Sequence, residues 1–131
     1  QKTFFEWIII NLSKKNTMNL FADVLFSPIH VLHLSEIVNI FLTSSASGIF
    51  NCGSRDYVSK YKFGIKVAEI FNFSKDKILE SKLEDIELKA ARPKNMALCI
   101  DKLENTIKYK MPTTDEVISL LYREYKKSGK L

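Results

Sequence analysis

The sequence predicts a helix-rich α/β fold, and three observations lead there. Thr3-Phe-Phe-Glu6, Asp101-Lys-Leu-Glu104 and Thr113-Thr-Asp-Glu116 each have the spacing of a capping box, in which the first side chain satisfies an early backbone N–H and the glutamate reaches back. Apolar residues recur at three- and four-residue intervals behind several helix starts. Between these stretches lie short apolar runs closed by Gly, Pro or Ser, as buried strands are. With 131 residues and 46% hydrophobic content the chain is about one domain with one core, which excludes intrinsic disorder, collagen and low-complexity classes.

In chain order, Thr3 opens a first helix through Trp7, Ile8, Ile9, Ile10 and Leu12, apolar on nearly every side and therefore expected to be buried on two faces. The polar run Ser13-Lys-Lys-Asn16 ends it. Met18 to Phe26 alternates loosely, fits strand and loop alike, and stops at Ser27-Pro28. Ile29, Val31 and Leu34 lead into a second helix with Ile37, Val38, Phe41 and Leu42 at helical spacing, capped by His33 or Ser35 and broken by Ser44 to Gly48. Gly48-Ile-Phe-Asn-Cys-Gly53 reads as a buried strand. Ser59 caps a third helix, Lys60 to Asn72, with Phe63, Val67, Ile70 and Phe71 inward, and Ile78 to Leu83 reads as another strand. Ala90-Ala-Arg-Pro93 must be extended, because the residue before proline avoids helical geometry. Asp101 announces a short helix and Thr113 a final one, with Val117, Leu120, Leu121 and Tyr125 inward and Gly129 placed to end it. Two or three short strands do not make a complete parallel sheet.

The net charge of +5 belongs to the second part of the chain. Three lysines balance three acids up to Ser54, whereas 17 basic residues face 12 acidic ones from Arg55 onward. Most of these lysines alternate with acids, as in Lys75-Asp76-Lys77, which describes a solvated face better than a nucleic-acid footprint. No apolar run approaches the ~18 residues of a membrane span. Cys52 and Cys99 form no CxxC, so neither a disulfide framework nor a zinc site is indicated and a reduced, cytoplasmic setting is expected. The amino end, Gln1-Lys2-Thr3-Phe4, lacks an initiator Met and a cleavable leader and reads as that of a fragment.

Chemical motifs are sparse. Gly48, Gly53, Gly64 and Gly129 never approach GxGxxG or GxxxxGK[ST], so the chain has no phosphate-cradling loop and no cofactor-binding residue is assigned. His30 and His33 have no nearby acid or cysteine to complete a metal set. Tyr122-Arg-Glu-Tyr-Lys126 matches YxxxK, the spacing with which a lysine lowers a tyrosine pKa, but such a pair arises by chance in a chain so rich in lysine. No catalytic residue is assigned. The polar cluster that stands out is Arg92-Pro93-Lys94-Asn95, where proline stiffens an extended segment carrying a guanidinium able to grip a diphosphate in bidentate fashion; the competing reading is a surface arginine paired with Asp85 or Glu87.

Taken together and in order, Phe4-Phe-Glu-Trp-Ile-Ile-Ile-Asn-Leu, Leu20 to Val31, Gly48-Ile-Phe-Asn-Cys-Gly-Ser, Val58-Ser-Lys-Tyr-Lys-Phe-Gly, Ala91-Arg-Pro-Lys-Asn-Met-Ala-Leu and Pro112-Thr-Thr-Asp-Glu resemble one family. It is the carboxy-terminal part of dTDP-4-dehydrorhamnose reductase and its relatives among the extended short-chain dehydrogenases. The resemblance implies a two-part enzyme: an amino-terminal Rossmann domain holding NADP or NAD and a Tyr/Lys pair, and a smaller domain closing over a dTDP- or UDP-linked nucleotide-sugar. Residues 1–131 would be the latter, a single substrate-binding domain without the glycine-rich half, with 1–54 including elements that pack on the missing sheet.

By the same resemblance Arg92 aligns with an arginine near the nucleotide-sugar pocket, with Lys94 and Asn95 beside it, and Ser27-Pro28 with a loop at the pocket rim. His33-Leu34 stands where many relatives have an aspartate before leucine, a departure that weakens the helix cap. The partners implied are the nucleotide-sugar and the missing Rossmann domain. A homodimer or an aggregation-prone monomer follows if the apolar helix from Phe4 to Leu12 lacks its sheet; no membrane and no specific nucleic acid are expected. The alternative from another class is a non-enzymatic helical interaction or regulatory module, or, with less support, a weak nucleic-acid binder.

Overall fold

A computed structural model of the chain describes residues 2–87 and 90–129. Its elements are α1 (Phe4–Ser13), β1 (Met18–Phe21), β2 (Leu25–Phe26), α2 (Val31–Leu42), β3 (Val58–Ser59), α3 (Lys60–Ile70), β4 (Ile78–Ser81), a 3-10 turn (Leu83–Asp85), β5 (Asn95–Met96), α4 (Asp101–Ile107) and α5 (Thr114–Lys127). They form two compact units built from interleaved segments, one of Gln1–Phe26 with Val58–Met96, the other of Ser27–Tyr57 with Ala97–Leu131. None of the helices is long and apolar enough to cross a membrane among the described residues.

The first unit holds all the strands found among the described residues. β1 and β4 pair in parallel from Met18↔Ile78 to Phe21↔Ser81, while β2 is flanked by antiparallel β3 and parallel β5. Alternation along β1 sends Met18 and Leu20 into the core and leaves Asn19 outside. α1 starts as its capping box requires, with the Glu6 N–H donating to Thr3 Oγ1 at 3.2 Å and the Thr3 N–H donating to Glu6 Oε2 at 2.8 Å. Its inward residues Phe5, Ile8, Ile9 and Leu12 are buried against this unit, with Phe5 tilted on Phe71 at 5.6 Å between ring centroids, so the first helix finds its cover within the chain. α3 is capped by Ser59, whose hydroxyl accepts from the Lys62 N–H at 3.1 Å, and ends where Asn72 takes a φ of +56°.

The second unit packs Ile37 of α2, Leu103 of α4, Ile100 and Met111 into one cluster, with Phe41, Phe50 and Ile107 partly covering it. α5 has the expected capping box between Thr113 and Glu116. Asp56 supplements it, accepting from both the backbone N–H and the hydroxyl of the fully buried Thr114, at 2.6 and 3.0 Å. Val117 turns inward as the periodicity predicts, Leu120 and Leu121 only in part, and Ile118 is fully buried as well.

Three expectations are corrected. α2 is capped by His30, not His33 or Ser35: the His30 ring Nδ1 accepts from the Leu32 N–H at 3.2 Å, one turn earlier than the apolar period suggests. The run from Gly48 to Gly53 is not a strand. Ile49 is 87% exposed, and the stretch is held as a loop by Asn51 Nδ2 donating to the Cys99 carbonyl at 3.1 Å and Lys102 Nζ donating to the Ile49 carbonyl at 2.9 Å. Asp101 does not cap α4. Ile100 takes that place without a side-chain bond, and Glu104 instead accepts from the Met111 N–H at 2.7 Å, because closing the loop behind the helix satisfies a donor that the cap would not.

Gly64 lies in α3 where the helix meets β1, and a Cβ built there would overlap Leu20 Cδ1, whose side chain is buried. Alanine is the better helix former by about 1 kcal/mol, but overpacking costs about 1–3 kcal/mol. The overlap is with a buried side chain, so the upper end of that cost applies and Gly64→Ala is expected to lower stability by up to about 2 kcal/mol, read as a lower urea midpoint; an unchanged or higher midpoint would mean that Leu20 moves aside freely.

Candidate functional site

β5 is held against β2 in the register Leu25↔Asn95 and Phe26↔Met96, and the Leu25 N–H donates to the Lys94 carbonyl at 2.7 Å. This ladder positions the Arg92 to Asn95 segment. Lys94 Nζ lies 2.8 Å from Asp23 Oδ2 and 3.4 Å from Glu84 Oε2, while Asp23 Oδ1 accepts from the Leu83 N–H at 3.0 Å. The Lys94 ammonium holds the Asp23 carboxyl below the usual carboxylate range; burial opposes this and the Leu83 N–H reinforces it. The same pair and Glu84 push the Lys94 ammonium upward. The Lys94 charge is thus engaged by two acids of its own unit.

Arg92, two residues upstream, is different. Its side chain is exposed, Pro93 restricts its backbone, and among the described residues no ion pair joins it to Asp85 or Glu87. Asn95 is also exposed and contributes its backbone to β5. The edge therefore presents one planar fork of donors beside a lysine already balanced by carboxylates, an arrangement suited to bidentate contact with phosphate oxygens.

Ser27 belongs to the second unit. Its hydroxyl accepts from the Leu98 N–H at 3.2 Å, and Gly53 approaches so closely that an added Cβ would stand 2.8 Å from the Ser27 Cβ. The Pro28 carbonyl accepts from the Ser54 N–H at 2.9 Å, also within the second unit. The structure thus places Lys94 and Asn95 together on one edge of the first unit and gives Ser27 a backbone partner in the second.

The YxxxK pair is a packing contact. Lys126 Nζ sits 4.7 Å from the Tyr122 ring centroid, over the face of the ring. His30 and His33 meet edge to face at 6.4 Å, and no group of three metal-ligating side chains occurs among the described residues. What the sequence did not reveal is a polar cavity of about 330 Å³ in the second unit, lined by His33, Arg55, Tyr109, Lys110, Glu116 and Arg123 among others. Its three cations are far apart in sequence and share no motif; the one local signal is the seven-residue step from Glu116 to Arg123, two turns along one face of α5.

The family model of the RmlD substrate binding domain matches residues 1–127. The chain belongs to that family. It is 25% identical over 118 residues to a probable low-salt glycan biosynthesis reductase of Haloferax volcanii, covering 90% of this chain and 39% of the relative. Among solved structures it is similar to dTDP-4-dehydrorhamnose reductase from Bacillus anthracis in complex with NADP, with a TM-score of 0.87 and 22% identity over 95% of this chain and 44% of that one. A dTDP-4-dehydrorhamnose reductase ortholog of Clostridium acetobutylicum gives a TM-score of 0.79 at 21% identity, over 92% and 44% of the two chains. The chain thus spans less than half the length of these relatives, and it has the fold of the substrate-binding part of sugar-nucleotide reductase-like proteins.

Within this RmlD-type domain the Asp23 to Lys94 pair has a pH signature. A carboxylate whose folded pKa is depressed stabilises the fold above its unfolded pKa of about 3.9, and that contribution is lost as pH falls through the lower, folded value. Asp23→Asn should therefore narrow the gap between urea midpoints measured at neutral pH and near pH 3, by lowering the neutral one. An unchanged gap would remove the pair from the acid response.

Proposed function

We propose that this RmlD-type domain holds the diphosphate of a dTDP- or UDP-linked sugar through Arg92, while a Rossmann domain outside the chain supplies NADP or NAD and the proton-transfer pair of a reductase. The observation that carries the reading is the contrast between two cations two positions apart: Lys94 is balanced by Asp23 and Glu84, and Arg92 is exposed on an edge fixed by the β2–β5 ladder. The relatives, dTDP-4-dehydrorhamnose reductases and a probable glycan biosynthesis reductase, support the substrate class. Polysaccharide or glycan synthesis in a cytoplasmic setting belongs to the same proposal, as do supporting contacts from Lys94 and Asn95.

The residues present do not fit a dinucleotide. Gly64 is inside α3 and fills against Leu20, Gly53 is packed on Ser27, and Gly48 and Gly129 are isolated positive-φ residues at φ +110° and +65°. None of the four opens a helix toward a phosphate, so no hydride step is derived for this chain. Its own residues can bind and orient: the guanidinium fixes a diphosphate by paired N–H bonds, which sets where the attached sugar lies.

In the longer protein that the reading requires, Arg92→Ala should weaken nucleotide-sugar binding at least ~10-fold, equivalent to about 1.4 kcal/mol, with NAD(P)H affinity nearly unchanged. Arg92→Lys should recover only part of the loss, since an ammonium cannot reproduce the fork. Calorimetric titration decides it, and equal weakening of cofactor and sugar would assign Arg92 to folding alone. The present chain mixed with NADPH and a 4-keto dTDP-sugar should give no turnover; turnover would overturn the assignment of catalysis to another domain.

A further inference from the structure

The cavity of the second unit uses none of the residues assigned above. Arg55, Lys110 and Arg123 converge on it from three elements: the loop before β3, the segment between α4 and α5, and the third turn of α5. A single carboxylate lining it, Glu116, stands against these three cations. That carboxylate is already engaged. Glu116 Oε2 accepts from the Thr113 N–H at 2.7 Å and from the Thr113 hydroxyl at 3.0 Å, and these bonds are the main reason its carboxyl lies below the usual range, with Arg55 and Lys110 adding smaller contributions. Its pair with Arg55 is long, at 4.0 Å. Lys110 and Arg123 form no ion pair among the described residues.

The walls are set by bonds unrelated to the cations. Tyr109 donates its hydroxyl to Glu36 Oε2 at 2.6 Å, and burial, followed by Glu36 itself, pushes the phenol up to about 12. The Arg55 N–H donates to the Pro112 carbonyl at 2.8 Å, which fastens the arginine's backbone to the segment carrying Lys110. His33 of α2 lines the same cavity. Lys110 and Arg123, without ion pairs among the described residues, and Arg55, paired only at 4.0 Å, leave the cavity an excess of positive charge with two guanidinium forks, which selects a compact oxyanion with several acceptor oxygens.

We propose that the His33, Arg55, Lys110 and Arg123 cavity is a binding site for a phosphoryl group, either as free inorganic phosphate or at the end of a phosphorylated metabolite. The site stands independently of the role given to Arg92. Titrating the labelled chain with inorganic phosphate, against chloride at equal ionic strength, should give saturable amide shifts at Arg55, Lys110 and their neighbours that chloride does not reproduce.

Arg123→Gln and Lys110→Gln, both at exposed positions, should each weaken phosphate binding, and Arg55→Gln combined with Arg123→Gln should do so at least ~10-fold. Lys75→Gln, which removes a cation of the first unit paired with Glu69, should leave it unchanged. A parallel titration with dTDP separates the sources: tighter binding with the same pocket shifts favours a phosphoryl group carried by a nucleotide, and shifts from phosphate alone favour the free ion. Thermal melts of each variant keep loss of binding apart from loss of fold. Phosphate shifts no larger than those of chloride, or shifts that survive undiminished in folded Lys110→Gln and Arg123→Gln variants, would overturn the site.

Discussion

Leu25 and Phe26 form a strand of only two residues, yet they hold the backbones of Val58–Ser59 on one side and Asn95–Met96 on the other. Much of the first unit depends on that junction. β3 runs directly into α3, so the pairing at Leu25↔Ser59 places the hydroxyl that caps the helix, and the Lys60 N–H continues the contact by donating to the Val24 carbonyl at 3.0 Å. β5 in turn carries the segment with Arg92 and Lys94. A ladder this short is marginal by backbone bonding alone, and side chains must reinforce it. Phe26 meets Phe63 edge to face at 5.3 Å, and Lys60 lies 3.5 Å from the Phe26 ring centroid, a half-buried ammonium whose pKa burial pushes down.

The parts of the fold that were legible in the sequence are those determined within a few residues. Thr3 with Glu6, Thr113 with Glu116 and Ser59 ahead of Lys60 act over three positions, and their bonds form as the spacing requires. His30 escaped notice because histidine is a rare cap. The run from Gly48 to Gly53 misled because apolar content does not distinguish a strand from a loop whose carbonyls are held by remote side chains, here Asn51 on Cys99 and Lys102 on Ile49. The strand partners lie beyond local reading altogether, since Met18 finds Ile78 and Leu25 finds Asn95.

The candidate site divides in the same way. Arg92 was visible because proline constrains the residue before it, whereas the balance that distinguishes it from Lys94 depends on Asp23, on the far side of the sequence. The cavity of the second unit was invisible because its cations share no period and no motif. In both places a cation's availability is decided by which carboxylates the fold commits elsewhere: Asp23 and Glu84 to Lys94, and Glu116 to the cap of α5.

The register of β2 also sets a schedule for the growing chain. About 70 residues separate Leu25 from its parallel partner Asn95, so at translation rates of roughly 5–20 residues per second β2 waits on the order of 4–14 seconds for one of its neighbours to be made. For most of that interval Phe26 and the β1 residues Met18 and Leu20 have no complete layer to enter, since β4 is also still to come. An unpaired strand flanked by aromatic and aliphatic residues is a template for the wrong edge. The single carboxylate of Asp23 next to it, not yet neutralised by Lys94, is the charge the nascent segment has to keep other strands away.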